Sequence, residues 1–466
     1  MFGAMMRIVE LPLWLFVLMV LFATVTFASH FLFPSVRWFF RRRLERAVKQ
    51  LNTRLTRPIE PFKLARRYDM IQRLIYDPEV TRAIVIHAQE NNVPENVAFE
   101  KARRYAREIV PSFSAFAYFS FGTRVARWLG NTLYDVRTSH GDDADLQNVS
   151  ADATVVFVMN HRSNMDYVLV TYLAAKASAL SYAVGEWARV WPLSRLIKSM
   201  GAYFIRRRSR GQLYRRVLAR YVQMATEGGV TQAIFPEGGL SVNGQLMPLK
   251  MGLLSYVVEG FDPKQRDLVF VPVAINYDRV LEDRVLIAAD QRGDRRFGAR
   301  ITVVMGAIVR LVWQWATGRY RKFGMAAVAF GDPVSMAGLG PDLSLDDLAE
   351  ILRGRIADVM PVLFVPLVSR TLLDRDAPMS DDALNAQVQK NVMLVRGSVP
   401  DMSSDDFTAH VARACQDMAK RGMIAQSDTG WSIVENERPL LQFYANSIAD
   451  LYPACLPDTN AASAKL

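Results

Sequence analysis

Cysteine is nearly absent: the 466 residues contain two, Cys415 and Cys455. Neither a disulfide framework nor a four-cysteine zinc site can be built from them. The five histidines (His30, His87, His140, His161 and His410) are scattered, with no HExxH spacing and no close pair, which excludes a histidine-rich metal centre. No GxSxG nucleophile elbow occurs, and no internal repeat is found. Acidic residues are in deficit, 46 against 57 basic ones, giving a formal net charge of +11 and a pI near 9.6. That surplus points to anionic partners such as phosphorylated substrates or acidic lipid. The arginine clusters lack interleaved aromatic residues, so nucleic acid is not expected. Hydrophobic residues reach 51%, which rules out disorder, and the length leaves room for two or three domains.

The longest uncharged run is Leu11 to Ser29. At about 1.5 Å per residue, a helix of that length nearly crosses a hydrocarbon core about 30 Å thick. Arg37, Arg41, Arg42, Arg43 and Arg46 follow it closely, whereas Arg7 and Glu10 precede it. The positive-inside rule then predicts an N-terminal membrane helix with nearly all of the chain on the cytoplasmic face of the inner membrane; an in-plane interfacial helix and a cleaved signal peptide are the alternative readings of the run. The stretch from Arg37 to Arg73 holds twelve basic and three acidic residues, the composition of a segment held against anionic membrane lipid. Residues 301–323 form a second apolar run, but Arg310 interrupts it, and a buried or interfacial helix is the expectation.

Apolar spacings of three and four make residues from about 44 to 150 read as helical. After a loop at 140–153 the pattern changes. Thr154–Met159, Ala233–Phe235, Leu268–Ile275 and Ala326–Phe330 read as strands, with helices such as Ser194–Met200 and Leu213–Ala225 between them. Such alternation predicts an α/β domain whose inner strands are buried on both faces. From Asp374 onward, thirteen acids face eight bases, and the tail reads as a small helical subdomain. Ser344 is placed to cap a helix beginning in PDLSLDDLAEIL. The expected organisation is an anchor (1–36), a basic and helical region (37–150), an α/β domain (151–340) and a helical C-terminal part (341–466).

Directly after the first strand comes Asn160-His161-Arg162-Ser163-Asn164-Met165-Asp166. On a continuous helix, residues five apart point about 140° away from each other. At a strand-to-helix turn, however, the histidine can lie in the loop and the aspartate in the first helical turn. The carboxylate then fixes the tautomer and leaves the other nitrogen basic, able to take a proton from an alcohol. Taken alone, the spacing is equally that of a satisfied core histidine. Three further blocks follow. Gly201-Ala202-Tyr203-Phe204-Ile205-Arg206-Arg207-Arg208 opens a run of seven arginines without an acid up to Arg220, suited to phosphate. Phe235-Pro236-Glu237-Gly238-Gly239 can expose backbone N–H groups to an anion, with Ser241 and the cation of Lys250 close behind. Pro272 interrupts an apolar strand, which marks an edge or a bulge.

NHRSNMD, GAYFIRR, FPEGG and VPVAINY, in this order, resemble the four motifs of the glycerolipid acyltransferases. The helical lead-in and LLQFYANSIADLY (440–452) are similar to the glycerol-3-phosphate acyltransferase branch, so the resemblance covers roughly residues 65 to 455. It implies a mixed, mostly parallel sheet flanked by helices, and transfer of a fatty acyl group from acyl-CoA or acyl-carrier protein to glycerol 3-phosphate, with no metal and no resident cofactor. His161 is then the general base and Asp166 its orienting partner. Arg206 and Arg207 would hold the phosphate, Glu237, Gly238, Ser241 and Lys250 would shape the substrate pocket, and Pro272 would pack it. Leu240 and Val242 stand where the family usually carries phosphate-binding arginines. This shifts the phosphate onto Arg206, Arg207, Lys250 or Arg162, or else the acceptor is different: dihydroxyacetone phosphate or a lysophospholipid. A non-catalytic membrane scaffold with the same fold is the reading from another class.

Overall fold

A computed structural model describes residues 12–139, 148–175, 178–185, 193–206, 211–293, 313, 317, 322–340, 343–396 and 404–452. The chain divides into two compact units, Met1–Pro58 and Ile59–Leu466. The first is built on one long helix, α1 (Leu13–Asn52). Its start shows Leu13 and Trp14 to solvent, and then phenylalanine, valine, leucine and methionine side chains without a break from Phe16 to Phe22. Among the described residues, no helix is long and apolar enough to cross a membrane. The second apolar run, 301–323, lies almost entirely outside the described residues.

The second unit opens with α2 (Arg67–Ile75), α3 (Pro78–Glu90), α4 (Glu95–Ile109) and α5 (Thr123–Leu133). Asp77 caps α3 by accepting from the Glu79 N–H, with Pro78 at the first helical position. Then come β1 (Asp135–Ser139), β2 (Thr154–Met159), α6 (Met165–Ala174), β3 (Ser181–Val184), α7 (Leu193–Ser199) and β4 (Tyr203–Phe204). They are followed by α8 (Gln212–Glu227), β5 (Gln232–Ile234), α9 (Met251–Glu259), β6 (Leu268–Tyr277) and α10 (Asp283–Gln291). The chain continues with β7 (Met325–Phe330), β8 (Val334–Ser335) and α11 (Leu345–Asp358), the last capped by Ser344 as its sequence predicts. It closes with α12 (Phe364–Arg375), α13 (Asp381–Leu394), α14 (Ser404–Lys420), a β9–β10 hairpin (Ile424–Ser427, Gly430–Ile433) and α15 (Arg438–Asn446).

The main sheet runs β1-β7-β6-β2-β5-β3-β4, with β8 also on β6. Strands β6, β2, β5, β3 and β4 are parallel neighbours, and β7 and β8 run against β6. The sheet is therefore mixed and mostly parallel, flanked by helices. Every residue of β2 and all ten of β6 are buried, so both faces of the centre are covered, the reason these strands read as unbroken apolar runs.

Three expectations fail locally. Asp135–Ser139, within the stretch read as helical, is a strand, because it pairs in register with β7 from Asp135↔Met325 to Ser139↔Ala329. The acidic tail is not purely helical, since Ile424–Ser427 and Gly430–Ile433 pair across a turn at Asp428-Thr429. Pro272 is on neither an edge nor a bulge. It lies at the level of Val158 on β2, in the gap where β6 changes partner from β8 (Phe270↔Val334) to β7 (Val273↔Phe330). The Gly331 N–H donates to its carbonyl at 2.8 Å. A residue without an N–H costs least where the neighbouring ladder is interrupted.

Candidate active site

β6, β2 and β5 lie side by side and parallel, so the loops at their C-terminal ends meet, where ligands of open α/β sheets bind. Past Met159↔Val273 the β2 ladder is extended by a side chain. Asn160 donates through Nδ2 to the Ile275 carbonyl at 2.9 Å and accepts the Ile275 N–H at 2.8 Å. His161 leaves the strand from that fixed point, and α6 starts four residues later.

Within this turn the His161 Nδ1–H donates to Asp166 Oδ2 at 2.8 Å, because an ionised carboxylate can only accept. The N–H groups of Arg162 and Ser163 donate to the same oxygen at 2.8 and 3.0 Å. Asp166 Oδ1 takes the Tyr277 hydroxyl at 2.6 Å. Asp166 is 0% exposed and sits in the first turn of α6, where the helix dipole favours its charge. His161 is 2% exposed, its ring 4.3 Å from that of Phe235 and edge-on to Tyr167 at 5.4 Å. Its Nε2 has no hydrogen-bond partner among the described residues. The arrangement is an imidazole with one nitrogen steered and the other open for a proton.

Glu237, in the turn after β5, is 4% exposed, and its carboxylate accepts from the backbone of His161 and Met247. Burial pushes its carboxyl up to about 8, opposed by the Arg162 guanidinium, and Oε2 has no partner among the described residues. Gly238 adopts φ +72°, and a Cβ there would meet the Lys250 side chain at 2.9 Å, so the exposed Lys250 lies across the bare backbone. Ser241 ties the loop together: its N–H donates to the His161 carbonyl at 3.0 Å and its hydroxyl to the Gln245 carbonyl at 2.7 Å. Val242 is in the core and Leu240 packs against it.

Arg206 follows β4 but is held in a fork by Glu108, Nε to Oε1 at 2.8 Å and an Nη to Oε2 at 2.6 Å, with the Tyr105 and Tyr214 rings beside it. This bidentate pair raises its affinity for the proton still further. Its guanidinium is thus engaged by the N-terminal helices. Arg207 lies outside the described residues. Arg162 is fully buried and bonds the Gly244 carbonyl and, at 3.1 Å, the Ser447 carbonyl. It is a tether between the His161 loop and the C-terminal segment.

Three site residues carried no separate reading in the sequence: Asn160, Tyr277 and Glu282. Glu282 accepts from the Ser163 hydroxyl at 2.7 Å and from the Asn164 side chain at 2.9 Å, holding the loop from its outer side. The position of Asn160 straight after a buried strand, and of Tyr277 at the end of VPVAINY, are the signals available. The 440–452 segment joins the same assembly: Asn446 donates to the Asn243 carbonyl at 2.8 Å, and the Phe443 carbonyl leaves no space for a Cβ on Gly244.

A family model described as Acyltransferase matches residues 142–276, the span that holds the NHRSNMD, GAYFIRR and FPEGG blocks and VPVAINY up to Asn276. Residues 142–276 thus carry an acyltransferase domain, and the chain is similar to curated glycerol-3-phosphate acyltransferases. A curated glycerol-3-phosphate acyltransferase of Pseudomonas syringae pv. tomato is 29% identical over 299 residues, 62% of this chain and 34% of that protein. Another, of Ectopseudomonas mendocina, is 26% identical over 442 residues, 86% of this chain and 51% of that protein. The chain thus spans between about a third and a half of the curated relatives it matches. A solved 1-acyl-sn-glycerophosphate acyltransferase from Thermotoga maritima is 20% identical, covers 51% of this chain and 76% of its own, and superposes with a TM-score of 0.33. In the acyltransferase domain, His161 and Asp166 are the only histidine–carboxylate pair among the described residues.

Proposed function

We propose that the chain transfers a fatty acyl group from an acyl thioester, on CoA or a carrier protein, to the sn-1 hydroxyl of glycerol 3-phosphate, giving lysophosphatidate. The observation that carries this reading is the His161 imidazole, steered through Nδ1 by Asp166 and unpartnered at Nε2. The acceptor hydroxyl gives its proton to Nε2 as its oxygen attacks the thioester carbonyl. The tetrahedral oxyanion collapses, the C–S bond breaks, and the thiolate leaves with the proton held by His161. General base catalysis of this kind contributes about 10²–10⁴-fold. The backbone N–H groups of Glu237 and Gly239 are the candidates for the oxyanion, that of Gly238 being bonded to the Phe235 carbonyl at 3.1 Å, and Glu237 Oε2 is the candidate for an acceptor hydroxyl.

Phosphate recognition falls to Arg207 and Lys250, since Glu108 engages Arg206 and Arg162 is a buried tether. Leu240 and Val242 favour a second reading, the same chemistry on dihydroxyacetone phosphate or a lysophospholipid, because apolar side chains replace two phosphate-binding positions. Attachment to the cytoplasmic face of the inner membrane is part of the proposal. The apolar start of α1 faces solvent on every side, and Thr24 and Thr26 bond their hydroxyls back to the Val20 and Phe22 carbonyls at 2.7 Å, as an apolar surrounding requires.

The test offers purified protein a radiolabelled acyl thioester with glycerol 3-phosphate, dihydroxyacetone phosphate and lysophosphatidate in competition. Label in lysophosphatidate is expected. Label in phosphatidate alone would overturn the acceptor, and no transfer to any of the three would overturn the reaction.

A further inference from the structure

The Tyr134 ring lies between those of Tyr277, tilted to it at 5.3 Å, and Phe323, edge-on at 5.8 Å. Past this aromatic wall, at the same end of the sheet, lies a cavity of about 240 Å³. Its apolar lining includes Phe323, Phe364 and Met418, and its charged lining includes Arg279, Lys322 and Arg413. The other ionic groups there are engaged. Asp135 pairs with Arg137 at 3.0 Å, Asp417 with Lys420 at 3.2 Å, and Arg421 with Asp283. Buried Asp278 accepts the Met325 and Val365 N–H groups at 2.9 and 3.0 Å. Arg279, Lys322 and Arg413 form no ion pair among the described residues. Arg279 is half-buried over the Phe323 ring at 4.3 Å, and burial together with the adjacent charge of Arg421 weakens its hold on its proton. A desolvated guanidinium beside a second one, with no carboxylate of its own, lowers its energy by taking an anion.

We propose that this cavity is a second binding site, separate from His161 and Asp166, for a compact phosphate monoester. Three cations match a dianion better than a single carboxylate does, and guanidinium groups take phosphate oxygens in a fork. The volume falls below the roughly 300–1,000 Å³ of pockets for larger organic ligands, which limits the occupant to inorganic phosphate or a short phosphorylated alcohol. The ring contacts through Tyr134 lead to Tyr277, the residue bonded to Asp166, so an occupant would sit next to the support of the base without touching it. The site stands on its own cations and does not rest on the acyl-transfer reading.

The experiment titrates the full chain in detergent with inorganic phosphate and, separately, with glycerol 3-phosphate, followed by calorimetry. It compares wild type, His161→Ala, and Lys322→Ala/Arg413→Ala, whose truncated side chains are exposed. Saturable phosphate binding retained in His161→Ala and weakened at least tenfold in the double variant, with its melting temperature unchanged, is the expected result. Equal affinity in wild type and the double variant, or no saturable binding up to about 10 mM, would overturn the site. Charge reversal at Arg413→Glu serves as the second variant and should abolish binding outright; unaltered binding there counts equally against the proposal. Binding to the cavity with no acyl transfer by the wild type would remove the proposed activity and leave this site standing.

Discussion

Asp166→Asn isolates the charge of the aspartate from its position. Three donors converge on Oδ2: the His161 Nδ1–H and the N–H groups of Arg162 and Ser163. The two backbone donors cannot rotate, so the asparagine must place its carbonyl oxygen there and its NH₂ toward Tyr277, whose hydroxyl turns to accept. The His161 tautomer therefore survives the substitution, and what disappears is one negative charge beside an imidazole that becomes positive as the proton transfers. At an effective dielectric of 20 and about 4 Å between charge centres, that charge is worth about 4 kcal/mol to the transition state. The expected loss in kcat is about 10³-fold. The variant is isosteric and keeps its hydrogen bonds, so its unfolding free energy should change by no more than about 2 kcal/mol. The assay pairs turnover of a radiolabelled acyl thioester with urea unfolding of the same preparation. A folded Asp166→Asn protein turning over within tenfold of wild type would refute the role of the carboxylate.

The Glu237 carboxyl, raised by burial to about 8 from an unfolded value near 4.5, keeps its proton in the folded chain where the unfolded chain has lost it. Its stabilising contribution is complete below about pH 4.5 and is lost as pH rises through about 8, and Glu237→Gln lacks this dependence. Urea unfolding of both proteins at pH 5, 7 and 9 should show wild type losing stability relative to the variant, by at most about 5 kcal/mol across that window. Parallel pH profiles would contradict the assignment. Arg162→Ala should cost about 3–5 kcal/mol, because it leaves the buried Gly244 and Ser447 carbonyls without a donor. Limited proteolysis should then release the 440–452 segment first, and an unchanged cleavage pattern would mean that Arg162 is no tether.

What the sequence makes legible follows from how each element is stabilised. Thr154–Met159 and Leu268–Tyr277 are buried on both faces, so their β-branched character shows directly. β1, with Asp135, Arg137 and Thr138, pairs with β7 alone and has an exposed, polar end, and nothing in its spacing separates it from the helix before it. The β9–β10 strands are four residues long, β9 exposed past its first residue and β10 half-buried, too short for an alternation to register. In the site, His161 and Asp166 are five residues apart, and a strand-to-helix turn joins them. The bonds of Tyr277 to Asp166 and of Arg206 to Glu108 cross 111 and 98 residues. Partners that distant are set by strand order and helix packing, which local patterns do not encode. The arginines illustrate the point, since a run of seven looks uniformly suited to phosphate, yet Arg206 and Arg220 are paired with Glu108 and Asp77.

The site depends on register more than on any single side chain. Side chains on a strand alternate faces with period two, so a slip of one residue between β2 and β6 would turn the exit of His161 to the opposite face. Apolar strands buried on both sides do not resist such a slip through hydrophobic pattern, because every register buries apolar surface equally well. The resistance comes from polar groups at the strand ends. Asn160 exchanges two hydrogen bonds with the backbone of Ile275, a match available in one register only. Tyr277, two residues further along β6, then meets Asp166, and the Ser241 N–H meets the His161 carbonyl. Each of these bonds joins the end of β2, or the helix turn that follows it, to an adjacent strand or to the loop after one. A buried polar group left unmatched costs about 1–3 kcal/mol, so a shifted register would forfeit several such terms at once. The same groups that fix the fold at this edge therefore hold the imidazole with one nitrogen steered and the other open.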